Sequence, residues 1–215
     1  MEMKLFIVLL LRIFWMHSVQ SFDIALPPNF NCHRDVPSQP LNLKALAGVW
    51  YEVGRVPSGD VLRCLNVTVP DKAESELVLD LEYISSYDGS LSPVKQTVSF
   101  PWDSNTQNSI FNLYYGEIAN NPSVTYKVMY TDYRRLTLIC GYSGISPIPL
   151  AKLLSRQRQL DKKLYDIIQA AVDKSPFREY YVWSEQTKCN AADRSVAGTI
   201  STIALVILWM LSKWC

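Results

Sequence analysis

The stretch Gly48-Val49-Trp50-Tyr51-Glu52 opens the region of this chain from which the fold can be predicted. Gly48 allows a tight entry into that region, because glycine adopts backbone conformations that other residues avoid. About eighty residues later comes Thr131-Asp132-Tyr133-Arg134, between two strand-like runs. Leu154-Ser155-Arg156 follows just before a helical pattern. The strand-like runs of the chain lie almost entirely between the first and the last of these three segments.

Apolar and polar residues alternate along many short runs between residues 48 and 156. Leu77, Leu79 and Leu81 fall on one face of such a run, and Asp80 falls on the other. A period of two predicts half-buried strands, and glycine, proline and asparagine separate the runs. The predicted strands are 48–56, 61–69, 76–86, 92–100, 109–116, 123–131, 134–142 and 149–156. Eight antiparallel strands fit a closed barrel and a two-sheet sandwich alike.

The hydrophobic period changes after the last of these runs. Apolar residues from Leu160 to Val172 recur at helical spacing and form one stripe along about four turns. We expect the helix to end near Ser175-Pro176, and a short strand-like piece, Tyr180 to Trp183, to follow it. The sequence therefore predicts an all-β domain with one C-terminal α-helix.

Together, the three segments quoted at the start resemble the three signature motifs of the lipocalins. The resemblance implies an eight-stranded antiparallel up-and-down barrel, not a sandwich, with one C-terminal α-helix packed on the outside. In lipocalins the motif tryptophan plugs the closed end of the barrel and the motif arginine lies across it; Trp50 and Arg156 match them here. The structural motif residues that the resemblance implies are Gly48, Trp50, Thr131, Asp132, Tyr133 and Arg156.

Four of the five cysteines, Cys32, Cys64, Cys140 and Cys189, lie outside the apolar C-terminus. An even number of cysteines in a secreted chain favours two disulfides, and the residues alone allow three connectivities. A closer resemblance, over residues 30–189, is to the apolipoprotein D-like and insect Lazarillo-like lipocalins. It implies that Cys32 pairs with Cys140 and that Cys64 pairs with Cys189.

Both ends of the chain look like processing signals. Residues 1–21 combine a short basic start, an apolar run and a plausible cleavage site, which predicts a signal peptide; an uncleaved N-terminal anchor is the alternative. Residues 191–215 combine a polar spacer with an apolar tail, as in the removed propeptide of a glycosylphosphatidylinositol (GPI) anchor. Asn190 is the expected attachment site, and a retained tail anchor is the alternative. The lipocalin domain is then 22–190, held on the extracellular face of the plasma membrane after passing through the secretory pathway.

One valid glycosylation sequon is present, Asn66-Val67-Thr68, because proline blocks Asn121-Pro122-Ser123. The secretory route makes its use plausible. Asn66 is therefore a predicted glycosylation site, which requires its side chain to face outward.

Composition and charge exclude several classes of function. With 21 Lys+Arg and 20 Asp+Glu the formal net charge is +1, and no basic run suggests binding to nucleic acid. The predicted domain holds one histidine, His33, and no convincing metal cluster or nucleophile–base dyad. We therefore expect no catalytic residues, no metal and no cofactor, and the protein is predicted not to be an enzyme. A bilin or haem carrier is a third and weaker alternative, because His33 is the one histidine available as an axial ligand.

Function in such a barrel depends on its interior. As a set, the side chains that share a strand face with the apolar pattern form a cup suited to a lipid, retinoid, sterol or pigment, although core packing is the better explanation of each one taken alone. The predicted ligand-binding residues are Val69, Leu79, Leu81, Tyr83, Val98, Phe111, Leu113, Tyr126, Val128, Leu138 and Lys152.

Lys152 is the most specific of these candidates. It shares a strand face with Leu150, Leu154 and Arg156, at a position where the apolipoprotein D-like lipocalins tend to have a large aromatic residue. A lysine in an apolar cup must find an anion or extend to the mouth. Its ammonium either pairs with the carboxylate of a ligand, such as a fatty or retinoic acid, or it is solvated or paired with Glu52.

The predicted function is to bind a small hydrophobic ligand at the cell surface and to carry or sequester it. The resemblance implies roles in neural development or in the handling of lipids and oxidative stress. The alternative is an adhesion or recognition protein whose barrel is a scaffold and whose mouth loops, 57–63, 87–91, 101–108 and 144–149, bind a protein partner. Tyr87 and Trp102 are the contact candidates in those loops, since exposed aromatic residues are enriched at interfaces.

Overall fold

The computed structural model describes residues 32, 40–57, 62–85, 91–103, 109–114, 123–143, 150–187 and 189. The predicted signal peptide, the predicted C-terminal propeptide, Asn190, His33 and Tyr87 lie outside these residues, and what the sequence predicts of them stays a prediction. Within the described residues, no helix is long and apolar enough to cross a membrane.

The described residues form a short helix, α1 (Leu43–Leu46), eight barrel strands, a longer helix, α2 (Lys162–Asp173), and a short strand, β9 (Val182–Trp183). The barrel strands are β1 (Gly48–Val56), β2 (Leu62–Val69), β3 (Glu76–Ser85), β4 (Ser92–Pro101), β5 (Ile110–Tyr114), β6 (Ser123–Thr131), β7 (Leu136–Ser143) and β8 (Leu150–Ser155). Asp161 begins α2 by accepting a hydrogen bond from the Leu164 N–H at 2.8 Å, which satisfies a donor that the first turn leaves unpaired. The predicted all-β fold is confirmed, and the element ends differ from the prediction by a few residues.

The strands follow one another around a single antiparallel sheet in the order β4-β3-β2-β1-β8-β7-β6-β5. Its two end strands, β4 and β5, meet through aromatic side chains. Phe100 and Phe111 lie 5.7 Å apart between ring centroids, edge to face, and Trp102 stacks on Phe111 at 6.0 Å. Curling the sheet until its edges meet removes the exposed edges of an open sheet. The result is a nearly closed barrel.

The connections alternate between the two ends of the barrel, because each strand runs opposite to its neighbours. Strand β4 ends at Pro101, and Trp102 and Asp103 follow it at the end of the barrel where β1 starts, which is the closed end. The Trp102 N–H donates to the Ser75 carbonyl at 2.8 Å, and its side chain is buried. The prediction that 101–108 borders the mouth is therefore wrong for 101–103, and Trp102 is not an exposed contact residue.

The apolar side chains form two cores, on opposite sides of the β7–β8 part of the wall. The inner core surrounds Trp50 at the closed end. The outer core lies between the wall and α2, where Leu164, Ile168 and Val172 are buried against the strands. Because α2 covers β7 and β8 from outside, these strands are mostly apolar on both faces.

Leu138 belongs to the outer core and is 2% exposed. The prediction that it lines the ligand cup is wrong, because the apolar face that it shares with Leu136 and Cys140 contacts α2. Thr137 and Ile139, on the opposite face of β7, line the interior instead.

Strand β1 changes partner halfway along its length. Gly48 to Tyr51 pair with β2, whereas Gly54 and Arg55 pair with β9. The gap that opens between β1 and β2 is bridged by Gln186, whose Nε2 donates to the Glu52 carbonyl at 2.8 Å and to the Leu65 carbonyl at 3.0 Å. The C-terminal segment thus completes the barrel wall.

Two disulfides hold the termini to the barrel. Cys32 pairs with Cys140 on β7, and Cys64 on β2 pairs with Cys189. Both pairings that the resemblance implied are confirmed. They close loops of 108 and 125 residues, and bonds of this kind stabilise a domain by about 2–4 kcal/mol each.

Candidate ligand-binding cup

The closed end of the barrel is built on the indole ring of Trp50, which is fully buried. Its Nε1 donates to the Leu46 carbonyl of α1 at 2.8 Å. The Arg156 guanidinium lies over the ring, with Cζ 3.9 Å from the ring centroid. A cation over an indole stabilises a fold by about 0.5–2 kcal/mol. The tryptophan–arginine closure that the resemblance implied is confirmed.

Arg156 also ties the surrounding backbone together. Its terminal nitrogens donate to the carbonyls of Ala45, Leu46, Val49 and Tyr133 at 3.1–3.3 Å. Burial lowers the pKa of the guanidinium from its usual value, yet arginine stays charged in proteins. One side chain therefore joins α1, β1 and the turn between β6 and β7 beneath the cup.

The turn between β6 and β7 is held by Asp132. Its Oδ1 accepts hydrogen bonds from the N–H groups of Arg134, Arg135 and Leu136 at 2.7–3.0 Å. Tyr133 adopts a left-handed backbone conformation, with φ of 60°, and its hydroxyl accepts a hydrogen bond from the Asn42 N–H. These motif residues build the closed end and identify the fold, while the ligand chemistry depends on the cavity above them.

Above Trp50 the barrel encloses a cavity of about 280 Å³, which we call the cup. Its lining residues are Leu46, Trp50, Leu62, Leu65, Val67, Val69, Leu77, Leu79, Leu81, Gln96, Val98, Phe100, Phe111, Leu113, Tyr126, Val128, Thr137, Ile139, Lys152 and Leu154. The wall is apolar apart from a few polar groups, as in most small-molecule sites.

Nine of the eleven predicted ligand-binding residues line the cup: Val69, Leu79, Leu81, Val98, Phe111, Leu113, Tyr126, Val128 and Lys152. Tyr83 does not; it follows Leu81 on the same strand face, and its hydroxyl donates to Gln96 Oε1 at 3.2 Å. Leu138, as described above, faces α2. Leu77 and Phe100 lie on the predicted inward faces and could have been found by extending the alternation.

A buried ionic cluster, formed by Glu52, Arg55 and Lys152, borders the cup, and of the three only Lys152 lines the cavity. Glu52 is fully buried. Its Oε1 accepts from the Arg55 guanidinium at 2.9 Å and from the Ser184 hydroxyl at 3.0 Å, and its Oε2 contacts the Lys152 ammonium. Lys152 therefore lines the cup and is also paired with Glu52. A role in holding a ligand stays a proposal.

Asn66 lies on β2 between the inward residues Leu65 and Val67, so its side chain faces outward as glycosylation requires. It is nevertheless only 9% exposed and hydrogen-bonds the carboxylate of Glu82. Glycosylation of Asn66 stays a prediction, and a glycan there has to displace this contact.

Among the described residues, no group of three or more histidine, cysteine, aspartate or glutamate side chains could hold a metal ion. The cup has mostly apolar walls, and Lys152 is the ionised side chain among its lining residues.

No protein-family model and no curated protein matches this chain. Solved structures do match it. Apocrustacyanin C2 is 19% identical with a TM-score of 0.50, over 72% of this chain and 86% of its own. The cockroach allergen Per a 4 is 17% identical with a TM-score of 0.51, over 74% and 97%. Insecticyanin from the tobacco hornworm Manduca sexta is 15% identical with a TM-score of 0.51, over 75% and 90%.

At these identities the likeness shows the fold, and the closer resemblance to the apolipoprotein D-like and Lazarillo-like group stays a prediction. The chain therefore has the lipocalin fold, an eight-stranded antiparallel barrel closed at one end, with α2 packed on its outer face.

Proposed function

We propose that this protein binds a small hydrophobic molecule in the cup and carries or sequesters it. The observation that supports the proposal is an apolar cavity of about 280 Å³ above a floor closed by Trp50. Burying about 300 Å² of apolar ligand surface contributes roughly 7 kcal/mol before ordering costs. Such a balance is compatible with micromolar or somewhat tighter affinity.

The size of the cup limits the ligand. Ligand pockets commonly measure about 300–1,000 Å³, so a cavity of about 280 Å³ is at the small end. The ligand is then a small lipid, or a larger one of which a part projects through the open end. Retinoid, sterol and fatty-acid ligands are all candidates under this proposal.

The ligand test follows tryptophan emission, because Trp50 forms the floor and Trp102 stacks on Phe111 in the wall. The full chain, expressed through a secretory route and stripped of bound lipid, is titrated with retinoic acid, arachidonic acid and progesterone. We expect saturable one-to-one quenching by at least one of them. No quenching by any of the three would overturn the carrier proposal and favour a protein partner at the mouth.

Two variants on β4 make this test specific for the cup. Val98→Phe places a ring inside the cavity and is expected to weaken ligand binding, since Val98 lines the wall. Thr97→Phe places the same ring on the outer face, where Thr97 is exposed, and serves as the matched control. Equal weakening by both variants would contradict a site inside the barrel.

We also propose that the protein is displayed on the extracellular face of the plasma membrane through a GPI anchor. The proposal is supported by the two disulfides, which persist in oxidising compartments, and by the sequence pattern of the chain ends. Treating expressing cells with a phospholipase C specific for phosphatidylinositol is expected to release the protein. Protein that stays on the treated cells would instead indicate a retained tail anchor.

A further inference from the structure

Lys152 is the only ionised side chain among the described residues that line the cup. Its neighbours across the ladders are Ile139 on β7 and Arg55 on β1. On its own strand, Leu154 is the next inward residue toward the floor, about 7 Å away at a rise of about 3.3 Å per residue. A charged group at this height faces apolar walls below it, and a few polar groups in an apolar pocket orient a ligand.

The ionic cluster holds more positive than negative charge. Glu52 supplies one negative charge, while Arg55 and Lys152 supply two positive charges. The Arg55 guanidinium already neutralises Glu52, and its side chain is 12% exposed. No second carboxylate contacts either cation within the described residues. One unit of positive charge is thus left beside an apolar cavity, where an unpaired ion is unfavourable.

The Lys152 ammonium also has unused donors. It carries three N–H groups, and Glu52 is its one hydrogen-bond acceptor among the described residues. The side chain is 30% exposed, so its remaining donors are accessible to water or to a molecule in the cup. An ionised acceptor forms hydrogen bonds that are about twice as strong as neutral ones.

We infer that the ligand of the cup is a monocarboxylate, whose carboxylate binds the Lys152 ammonium and whose apolar chain points toward Trp50. The inference rests on the proposed ligand-binding function and narrows its ligand class. Glu52 and Arg55 remain paired behind the site and hold Lys152 in place, and one bound carboxylate balances the charge of the cluster. A neutral lipid of the same length lacks this interaction.

The test compares decanoate with decan-1-ol, two ten-carbon chains that differ in charge at one end. A chain of about ten carbons suits a cavity of about 280 Å³, which equals roughly nine water volumes of 30 Å³. Titration calorimetry on the full, disulfide-bonded, delipidated protein at neutral pH gives both dissociation constants. We expect decanoate to bind at least about tenfold more tightly than decan-1-ol, because one hydrogen bond to a charged group lowers a dissociation constant by about that factor.

Three variants test whether the preference for decanoate over decan-1-ol comes from Lys152. Lys152→Met is expected to weaken decanoate binding by at least about tenfold and to change decan-1-ol binding by less than about threefold. Lys152→Arg keeps the charge and is expected to retain the preference for the acid. Lys95→Met is the matched control, because Lys95 pairs with Glu82 on the outer face of the barrel and is 84% exposed.

The outcomes separate the two proposals. Equal binding of acid and alcohol by the wild-type protein would overturn the carboxylate site and leave the hydrophobic cup intact. An acid preference that persists in Lys152→Met would overturn the assignment to Lys152. Absence of binding by both ligands would count against the cup itself. The wild-type comparison needs no variant, so it stands even if a substitution disturbs folding.

Discussion

The barrel has two walls that differ in what covers them. The covered wall is formed by β7, β8 and the Val53–Val56 part of β1, and its outer face packs against α2 and the C-terminal segment. The open wall is formed by β3 and β4, whose outer residues are exposed apart from Ile84. Alternation of apolar and polar residues along a strand shows which side chains point into the barrel only where the other face of the strand contacts water. In the covered wall both faces are mostly apolar, so an apolar residue there can point either into the cup or toward α2.

The two walls also place the same chemical pair in different surroundings. Glu52 and Lys152 pair inside the barrel, where the carboxylate has no exposed surface. Glu82 and Lys95 pair on the outer face of the open wall, where both side chains are largely exposed. Water screens the outer pair, whereas loss of one partner from the inner cluster leaves a poorly solvated charge.

The largest expected effect comes from removing the inner carboxylate. Glu52→Gln leaves Arg55 and Lys152 without their acid, and breaking a buried ion pair in this way lowers the free energy of unfolding by about 3–5 kcal/mol. Glu82→Gln is the control on the open wall, and we expect its denaturation midpoint to match that of the wild type. Urea unfolding followed by circular dichroism measures both. Similar midpoints for the two variants would mean that the inner cluster is no more sensitive than the outer pair.

A second pair of substitutions compares the apolar faces. Leu138→Ala removes a leucine that is 2% exposed beneath α2, and such truncations lower the free energy of unfolding by about 2–5 kcal/mol. Because Leu138 does not line the cup, ligand affinity is expected to stay unchanged. Leu79→Ala, in the open wall, removes a partly exposed side chain that lines the cup. It is expected to cost less stability and to weaken ligand binding.

Denaturation and ligand titration on these two variants separate stability from binding. Weaker ligand binding by Leu138→Ala than by Leu79→Ala would contradict the placement of the two side chains on opposite sides of the wall.

The open wall could be predicted from sequence almost completely. Leu79, Leu81 and Val98 were placed inward by alternation alone, and the structure agrees. In the covered wall the same reasoning selected Leu138 and missed Ile139, because the sequence does not say which apolar face of β7 the helix covers. The apolar face of α2 must pack against apolar side chains of the barrel, but the sequence does not show which strand supplies them.

Arg55 was missed for a different reason. Unbroken alternation from Trp50 and Glu52 places Arg55 on the outer face. The pairing of β1 with β8 shifts between Glu52 and Gly54, so that Glu52 lies opposite Leu154 and Arg55 lies opposite Lys152. A bulge adds one residue to a strand and turns the following side chains over. No residue pattern in β1 announces this bulge.

The smallest expected effect concerns Tyr181, whose ring packs against Gly54 on the covered wall. A Cβ at residue 54 would lie 1.8 Å from the Tyr181 hydroxyl oxygen, so glycine is what admits the ring there. The ring is partly exposed, but its hydroxyl oxygen is buried. Burial, and then the nearby Glu52 carboxylate, raise the pKa of Tyr181 well above its ordinary value near 10.

The folded protein therefore keeps this proton at a pH where an unfolded tyrosine loses it. The contribution of Tyr181 to stability is complete below about pH 10 and falls as the pH rises further, by about 1.4 kcal/mol per unit. In Tyr181→Phe the free energy of unfolding is expected to fall less between pH 10 and 11 than in the wild type. The control is Tyr83→Phe, at an exposed hydroxyl of the open wall, in which the free energy of unfolding is expected to fall as it does in the wild type. Urea unfolding at pH 8, 10 and 11 measures this difference. Identical alkaline declines in both variants would show that the covered wall does not shield the Tyr181 hydroxyl from solvent.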